Sequence, residues 1–299
     1  MNVKQLKIPL LYISLVLIWG STWIAIKVSV GEVPFTMAAI RFFAGACILI
    51  VYQLVRGKSI LPSRGYGVVI LALGVGNFFI GNGLTYWGMQ YVHSNITSIL
   101  WATMPVQVSV FSHFMLRDEE INFSKGFSLI GALIGSYLIF DIHGQNFSFQ
   151  TTLGMGAILI SIAGASFSNV LYKKRSGSLD PVSANIIGML ISAFLMLLTG
   201  LLSEPWKQIE FTTTSILATA YLAVFGSAIA FTIYFWLFKH VSVVKMSYTT
   251  FLIPIIAIMW GWFLLKESLT AGNMVGALII LITVSLPELG FFKRFLAKR

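Results

Sequence analysis

Ten apolar stretches leave this chain few folds to choose from. They lie at residues 9–30, 34–55, 66–88, 95–116, 124–141, 152–173, 181–203, 214–238, 243–265 and 271–289. Each approaches the roughly 20 residues that an α-helix needs to cross a bilayer. Backbone polar groups inside hydrocarbon must be satisfied by the chain itself, so spanning segments are helices or closed barrels, and runs of this length read as helices. The longest breaks, 56–65, 142–151 and 204–213, carry the Gly, Pro, Ser, Asn and charged residues of loops. Only 10% of the residues are charged, against roughly 25% in soluble domains, so there is too little polar surface to face water on all sides. The expected fold class is an all-α membrane protein of ten transmembrane helices.

The chain also repeats itself. Trp87 to Asp118 reads WGMQYVHSNITSILWATMPVQVSVFSHFMLRD, and Trp236 to Glu267 reads WLFKHVSVVKMSYTTFLIPIIAIMWGWFLLKE. At one constant offset Trp87 meets Trp236, Val92 meets Val241, Ser98 meets Ser247, Pro105 meets Pro254, and Arg117-Asp118 meets Lys266-Glu267. A period of half the chain belongs to a duplicated domain and not to a solenoid. The expected units are residues 1–145 and 146–299, five helices each. Five is odd, so the second copy enters the membrane upside down. Inverted repeats about an axis in the membrane plane are an architecture of solute carriers, whose two halves exchange conformations.

Charge tests this arrangement. With the N-terminus in the cytoplasm, sixteen of the twenty Lys and Arg residues fall on the cytoplasmic side and three (Lys27, Lys207 and Lys266) on the other, with Arg41 inside a helix. That is a strong positive-inside bias, and it places both termini in the cytoplasm. The net charge of +10 is thereby read as a topology signal and not as a nucleic-acid footprint. Lys4 and Lys7 precede an apolar run without a small-residue cleavage site, so no cleavable leader is expected. A lone Cys47 cannot form an internal disulfide.

Several residues depart from plain membrane helix. Pro105 and Pro254 lie about ten residues into their helices, where each removes a backbone hydrogen bond. They read either as ordinary packed kinks or, being paired across the repeats, as hinges at the repeat interface. The third helix holds Gly74, Gly76, Asn77, Gly81, Asn82 and Gly83. Its glycines permit close helix packing. Its asparagines must turn away from lipid, and with Tyr86 they could line a polar cavity. Trp19, Trp23, Trp101, Tyr172, Tyr234 and Tyr248 are aromatics with polar tips. Such residues form interfacial belts or, nearer mid-helix, cavity walls. Arg41 sits about eight residues into the second helix. An arginine at that depth must snorkel, bond a carbonyl or face water, and in the last case it could meet a substrate carboxylate.

Other classes lack support. All ten acidic residues fall in loops or at helix ends, so no buried carboxylate is available for strong proton antiport, and uniport, exchange or weak coupling is expected. No phosphate-binding loop, metal-ligand cluster or nucleophile signature is present, so neither an enzyme nor a cofactor is expected.

The chain resembles the drug/metabolite transporter superfamily, specifically its EamA-type ten-helix exporters. The resemblance rests on Trp19-Gly20-Ser21-Thr22-Trp23 with Lys27, on Pro34 and Arg41, and on Pro105, Asp118–Glu120 and Gly131. In the second half it rests on Gly164, Asn169, Lys173, Pro181, Trp236, Pro254, Glu267 and Gly276. It covers nearly the whole chain, although Ala163 stands where the first half has Trp19. It implies five-plus-five inverted helices in the cell membrane, cytoplasmic termini, a central substrate cavity, and export of amino acids, metabolites or drugs. The expected cavity holds Trp19, Trp23, Asn77, Asn82, Tyr86, Trp101, Asn169, Tyr172, Tyr234 and Tyr248, between helices one, three, four, six, eight and nine. With aromatics and no carboxylate, it fits amino acids or related metabolites better than the alternative, hydrophobic cationic drugs. The expected partners are this solute and the lipid bilayer.

Overall fold

A computed structural model describes residues 3–30, 33–62, 64–92, 94–116, 123–139, 148–205, 212–265 and 270–285. Arg117 to Glu120, which follow the fourth expected span, their repeat partner Lys266-Glu267, and Glu32, Asp141, Lys207, Glu210 and Glu288 lie outside them. Among the described residues the structure is helical and contains no strand. The helices are α1 (Val3–Val30), α2 (Pro34–Val55), α3 (Gly67–Gly88), α4 (Ser94–Trp101), α5 (Met104–Met115), α6 (Phe123–Ile139), α7 (Phe149–Arg175), α8 (Pro181–Ser203), α9 (Thr213–Phe238), α10 (Val243–Ser247), α11 (Thr249–Leu265) and α12 (Ala271–Ser285).

Six of these, α1, α2, α3, α7, α8 and α9, contain stretches long and apolar enough to cross a membrane. The remaining expected spans take other forms. The run at 95–116 is two helices, α4 and α5, broken at Ala102-Thr103, and the run at 243–265 is α10 and α11, broken at Tyr248. Hydroxyls reinforce both breaks. Thr103 Oγ1 donates to the Leu100 carbonyl at 2.6 Å. Ser247, Thr249 and Thr250 each donate to the carbonyl three residues back, at 2.6, 2.8 and 2.8 Å. The prolines do not mark the breaks alike. Pro105 occupies the first turn of α5, where a missing N–H costs nothing because no helical partner was due. Pro254 lies inside the continuous α11.

Two long helices carry a second irregularity. α3 is π-helical over Ala72–Gly83 and α9 over Leu222–Ile229, the same region of each half. Such segments are rare, widen the turn, and gather at functional sites.

The helices of the two halves meet in reciprocal pairs. α2 packs along α8 with opposite direction. At one end of that pair the Glu204 carboxylate, just past α8, accepts from the backbone N–H of Phe35 and of Thr36, and from Thr36 Oγ1 at 2.7 Å. A carboxylate there caps the positive end of α2. At the other end Asp180 caps α8 by accepting from Ser183 N at 3.1 Å, and it also accepts from Gln53 Nε2 at 3.0 Å. α6 runs against α12 in the same antiparallel sense: a methyl at Gly131 would meet Thr283, and one at Gly135 would meet the Gly276 carbonyl at 2.7 Å. α1 packs on α9 and α11, and α7 packs on α3 and α5.

Candidate functional site

The interior of the bundle is split by polarity. At one level sits an aromatic stack. Phe78 meets Phe231 and Phe42 with ring centroids 4.8 and 5.3 Å apart, and Phe235 lies 4.7 Å from Tyr172. Beside this stack, between α1, α2, α3, α4, α5, α7, α9 and α11, lies a cavity of about 90 Å³. One water needs about 10–15 Å³ of such space, so the cavity accepts several waters or the body of a small solute.

Eight of the ten residues expected to line a cavity do line this one: Trp19, Trp23, Asn77, Asn82, Tyr86, Trp101, Asn169 and Tyr234. Arg41 joins them. Tyr172 and Tyr248 do not. Tyr172 lies about one helical turn beyond Asn169 and is fully covered by Phe235 and Phe238. Tyr248 stacks on Phe251, with centroids 5.9 Å apart, at the α10–α11 break. Both are buried, but by aromatic neighbours and not by the cavity. The sequence reading missed Thr22, Thr85, Phe231, Thr249 and Thr250 among the lining residues. Thr22 and Thr85 each stand three residues from a residue singled out, Trp19 and Asn82, on the same helical face. That spacing was the available signal.

The π-helical stretch of α3 positions two of the polar residues. Asn82 Nδ2 donates to the Asn77 carbonyl five residues back at 3.1 Å, which fixes its amide. Just beyond, Thr85 Oγ1 donates to the Gly81 carbonyl at 2.7 Å, shares a 2.8 Å bond with Ser161, and accepts from Trp101 Nε1 at 3.2 Å. Thr85 thus ties α3 to α7 and holds the Trp101 ring. On the facing wall Trp19 rests against Tyr234 and Phe231, centroids 4.8 and 5.5 Å away, while Asn169 Nδ2 donates to the Tyr234 hydroxyl at 3.0 Å.

Arg41 is the only charged residue among the described lining residues. It is 3% exposed. Its Nε donates to Ser227 Oγ at 2.8 Å, Nη1 to the Tyr86 hydroxyl at 2.9 Å and Nη2 to the Gly226 carbonyl at 3.2 Å. The guanidinium also stands 5.0 Å from the Phe42 ring. The acceptors at Gly226 and Ser227 belong to the π-helical stretch of α9. Every partner is neutral. The described carboxylates, Asp180 and Glu204, are engaged at the two ends of the α2–α8 pair. Arg41 therefore neither snorkels nor pairs with an acid among the described residues. Three further polar atoms of the wall meet no partner there: Trp23 Nε1, Asn77 Nδ2 and Asn169 Oδ1. No cluster of three metal-ligating side chains occurs among the described residues.

Comparison with known proteins gives the same direction from independent information. The model of the EamA-like transporter family matches the chain twice, over residues 6–141 and 152–286. The uncharacterized transporter YoaV of Bacillus subtilis is 28% identical over 97% of this chain and 99% of its own. The uncharacterized inner membrane transporter YedA of Escherichia coli K12 is 29% identical over 93% of this chain and 89% of its own. A solved crystal structure superposes with a TM-score of 0.81 at 18% identity, covering 95% of this chain and 96% of that one, so the fold is shared. With both halves matched and relatives aligned from end to end, this chain belongs to the EamA-like transporter family.

Proposed function

We propose that this protein is a secondary carrier that moves a small organic solute, an amino acid or related metabolite, across the cell membrane by alternating access. The observation that carries the reading is the cavity itself. It lies between helices of both halves, and π-helical segments at matching places in α3 and α9 flank it: the first brings Asn77 and Asn82 to the wall, and the second supplies Gly226 and Ser227 as the acceptors that hold Arg41. Helices that depart from regular geometry at a polar interior site are where carriers hold their substrates.

The reading includes ten spans in two inverted five-helix repeats, residues 1–145 and 146–299, with both termini in the cytoplasm. The broken pairs α4–α5 and α10–α11 each act as one span. Supporting this, the corresponding helices α2 and α8 run antiparallel, as do α6 and α12. The interhalf pairings are also reciprocal, α1 with α9 and α11 against α7 with α3 and α5. A two-fold axis in the membrane plane generates such reciprocity. Pro105 serves as a hinge beside the α4–α5 break, and Pro254 as its counterpart within α11. Trp19, Trp23, Asn77, Asn82, Tyr86, Trp101, Asn169 and Tyr234 contact the solute.

Hydrophobic cations fit this site poorly, because Arg41 supplies the wall's charge and no carboxylate occurs among the described lining residues. The test is flux of radiolabelled amino acids into proteoliposomes containing the purified protein. Saturable uptake above empty vesicles, absent for tetraphenylphosphonium, is expected. Conductance without saturation would replace the carrier by a channel.

A further inference from the structure

The cavity wall is unbalanced in a way that selects a ligand. Arg41 has five N–H donors and spends three of them on neutral acceptors, so two remain for a further partner. The same cavity is lined by two more residues with buried donors that lack a partner among the described residues, Trp23 Nε1 and Asn77 Nδ2. Asn77 is 4% exposed. Against these donors one fully covered acceptor of the described wall lacks a partner, Asn169 Oδ1, on a residue 1% exposed, and every other acceptor there is a neutral amide, hydroxyl or carbonyl oxygen. A buried guanidinium held only by neutral groups is costly, and a bound anion relieves that cost.

We propose that Arg41, with Asn77 and Trp23, forms a carboxylate subsite. The solute is then recognised by its carboxylate first, with its amino group a minor determinant. A carboxylate matches the planar guanidinium fork, and its two oxygens can take donors from more than one side chain. One fixed positive charge suits a monoanion. Among the described lining residues no carboxylate awaits an ammonium group, which has only neutral amide and hydroxyl oxygens and the faces of Trp19, Trp101 and Phe231 to meet. The amphiphilic solute places its apolar end on those rings. This inference deepens the carrier reading and rests on it for the word substrate, though not for binding.

The experiment is a thermal-shift screen of the purified full chain in detergent. The ligands are the standard amino acids, their amides, their decarboxylated amines and their deaminated acids. At least one amino acid is expected to raise the melting temperature. Its deaminated acid is expected to keep most of that effect, and its amide and amine to lose it. A response from the amide or amine equal to that of the acid, or no response to any acid, overturns the subsite. Arg41→Gln is expected to weaken the acid's binding about ten- to a hundredfold, as loss of a charged hydrogen bond implies. Because Arg41 also ties α2 to α3 and α9, Trp23→Phe and Asn77→Ala give a second route. Each removes one donor and is expected to weaken the acid several-fold while leaving the amide's response unchanged. Unaltered acid binding in a folded Arg41→Gln, or in both of the other variants, overturns the proposal. Flux in proteoliposomes separates the two readings: acid-selective binding without flux defeats the carrier and leaves the subsite. Flux indifferent to the carboxylate defeats the subsite and leaves the carrier.

Discussion

Thr85 concentrates more of the wall's order than any other small side chain. One hydroxyl bonds its own helix, reaches Ser161 on α7 and receives the Trp101 indole. Thr85→Val keeps the shape and removes all three bonds, leaving Ser161 with only its own-helix bond to Ile158 and the indole N–H stranded. A buried polar group left without a partner costs about 1–3 kcal/mol. The melting temperature of Thr85→Val is therefore expected to fall clearly below wild type, while Thr85→Ser stays near it. Equal melting temperatures for Val and wild type would show that the hydroxyl holds nothing. At this scale most of the site was legible. Trp19, Asn77, Asn82 and Asn169 stand out because polar tips inside apolar helices need a reason to be there. Tyr172 and Tyr248 carried the same signal and misled, since a phenol covered by Phe235 and Phe238 or stacked on Phe251 looks, in one dimension, like a phenol facing water. The fate of Arg41 was undecided in sequence because its acceptors, Gly226 and Ser227, are about 185 residues away and show themselves only when α9 is folded.

Elements are held together here by close backbone approach as much as by side-chain volume. A methyl at Gly76 would come within 2.1 Å of Ser168 Oγ and 3.1 Å of the Gly164 carbonyl, so α3 and α7 touch where both lack a side chain. At Gly67, the first residue of α3, nothing lies within 4 Å. Gly76→Val is expected to lower stability by about 1–3 kcal/mol, the usual cost of overpacking, whereas Gly67→Ala is neutral or slightly stabilising. Denaturant or heat titration in detergent decides; equal effects at both positions would remove the close-packing argument. Pro105 poses the complementary question. Its place in the first turn of α5 keeps α4 and α5 apart at Ala102-Thr103. Pro105→Ala supplies an N–H that can reach the Trp101 carbonyl and splice the two into one rod. Slower flux with an unchanged or raised melting temperature is expected; wild-type flux would end the role of this break as a hinge. The breaks and the π-helical stretches were the least legible elements. Hydropathy reports that a segment is apolar, not whether its hydrogen bonds run four or five residues back, and nothing in the composition of 72–83 or 222–229 marks the change of register.

The whole molecule turns on whether its halves are opposed across the bilayer. The amino-acid pattern supports that through an odd number of spans per copy and through the placement of Lys and Arg. The fold supports it through α2 and α8, which are antiparallel and joined by carboxylates at both ends. Those carboxylates also fix which loops must share a side. The Gln53–Asp180 contact puts the turn after α2 beside the turn between α7 and α8, and the Tyr66 hydroxyl bonds Ser178 Oγ there at 3.0 Å. Glu204 and Phe35 mark the opposite end. Impermeant thiol reagents read this directly on a Cys47→Ser background, because Cys47 is the one cysteine. Cysteines at Gly57 and Gly177, both exposed and in turns of positive φ, are expected to react only after the cells are permeabilised. Cysteines at Pro205 and Thr212, exposed at the other end, are expected to react in intact cells. Gly57 belongs to the first half and Gly177 to the second, one following α2 and the other following α7. Two parallel units would place the turns after α2 and after α8 on the same side. Opposed units place them on different sides, so labelling of Gly57→Cys and Pro205→Cys from the same side would contradict the antiparallel pair. With it would go the physical basis for alternating access, because halves that are not related by a two-fold axis in the membrane plane have no symmetric second state to exchange into.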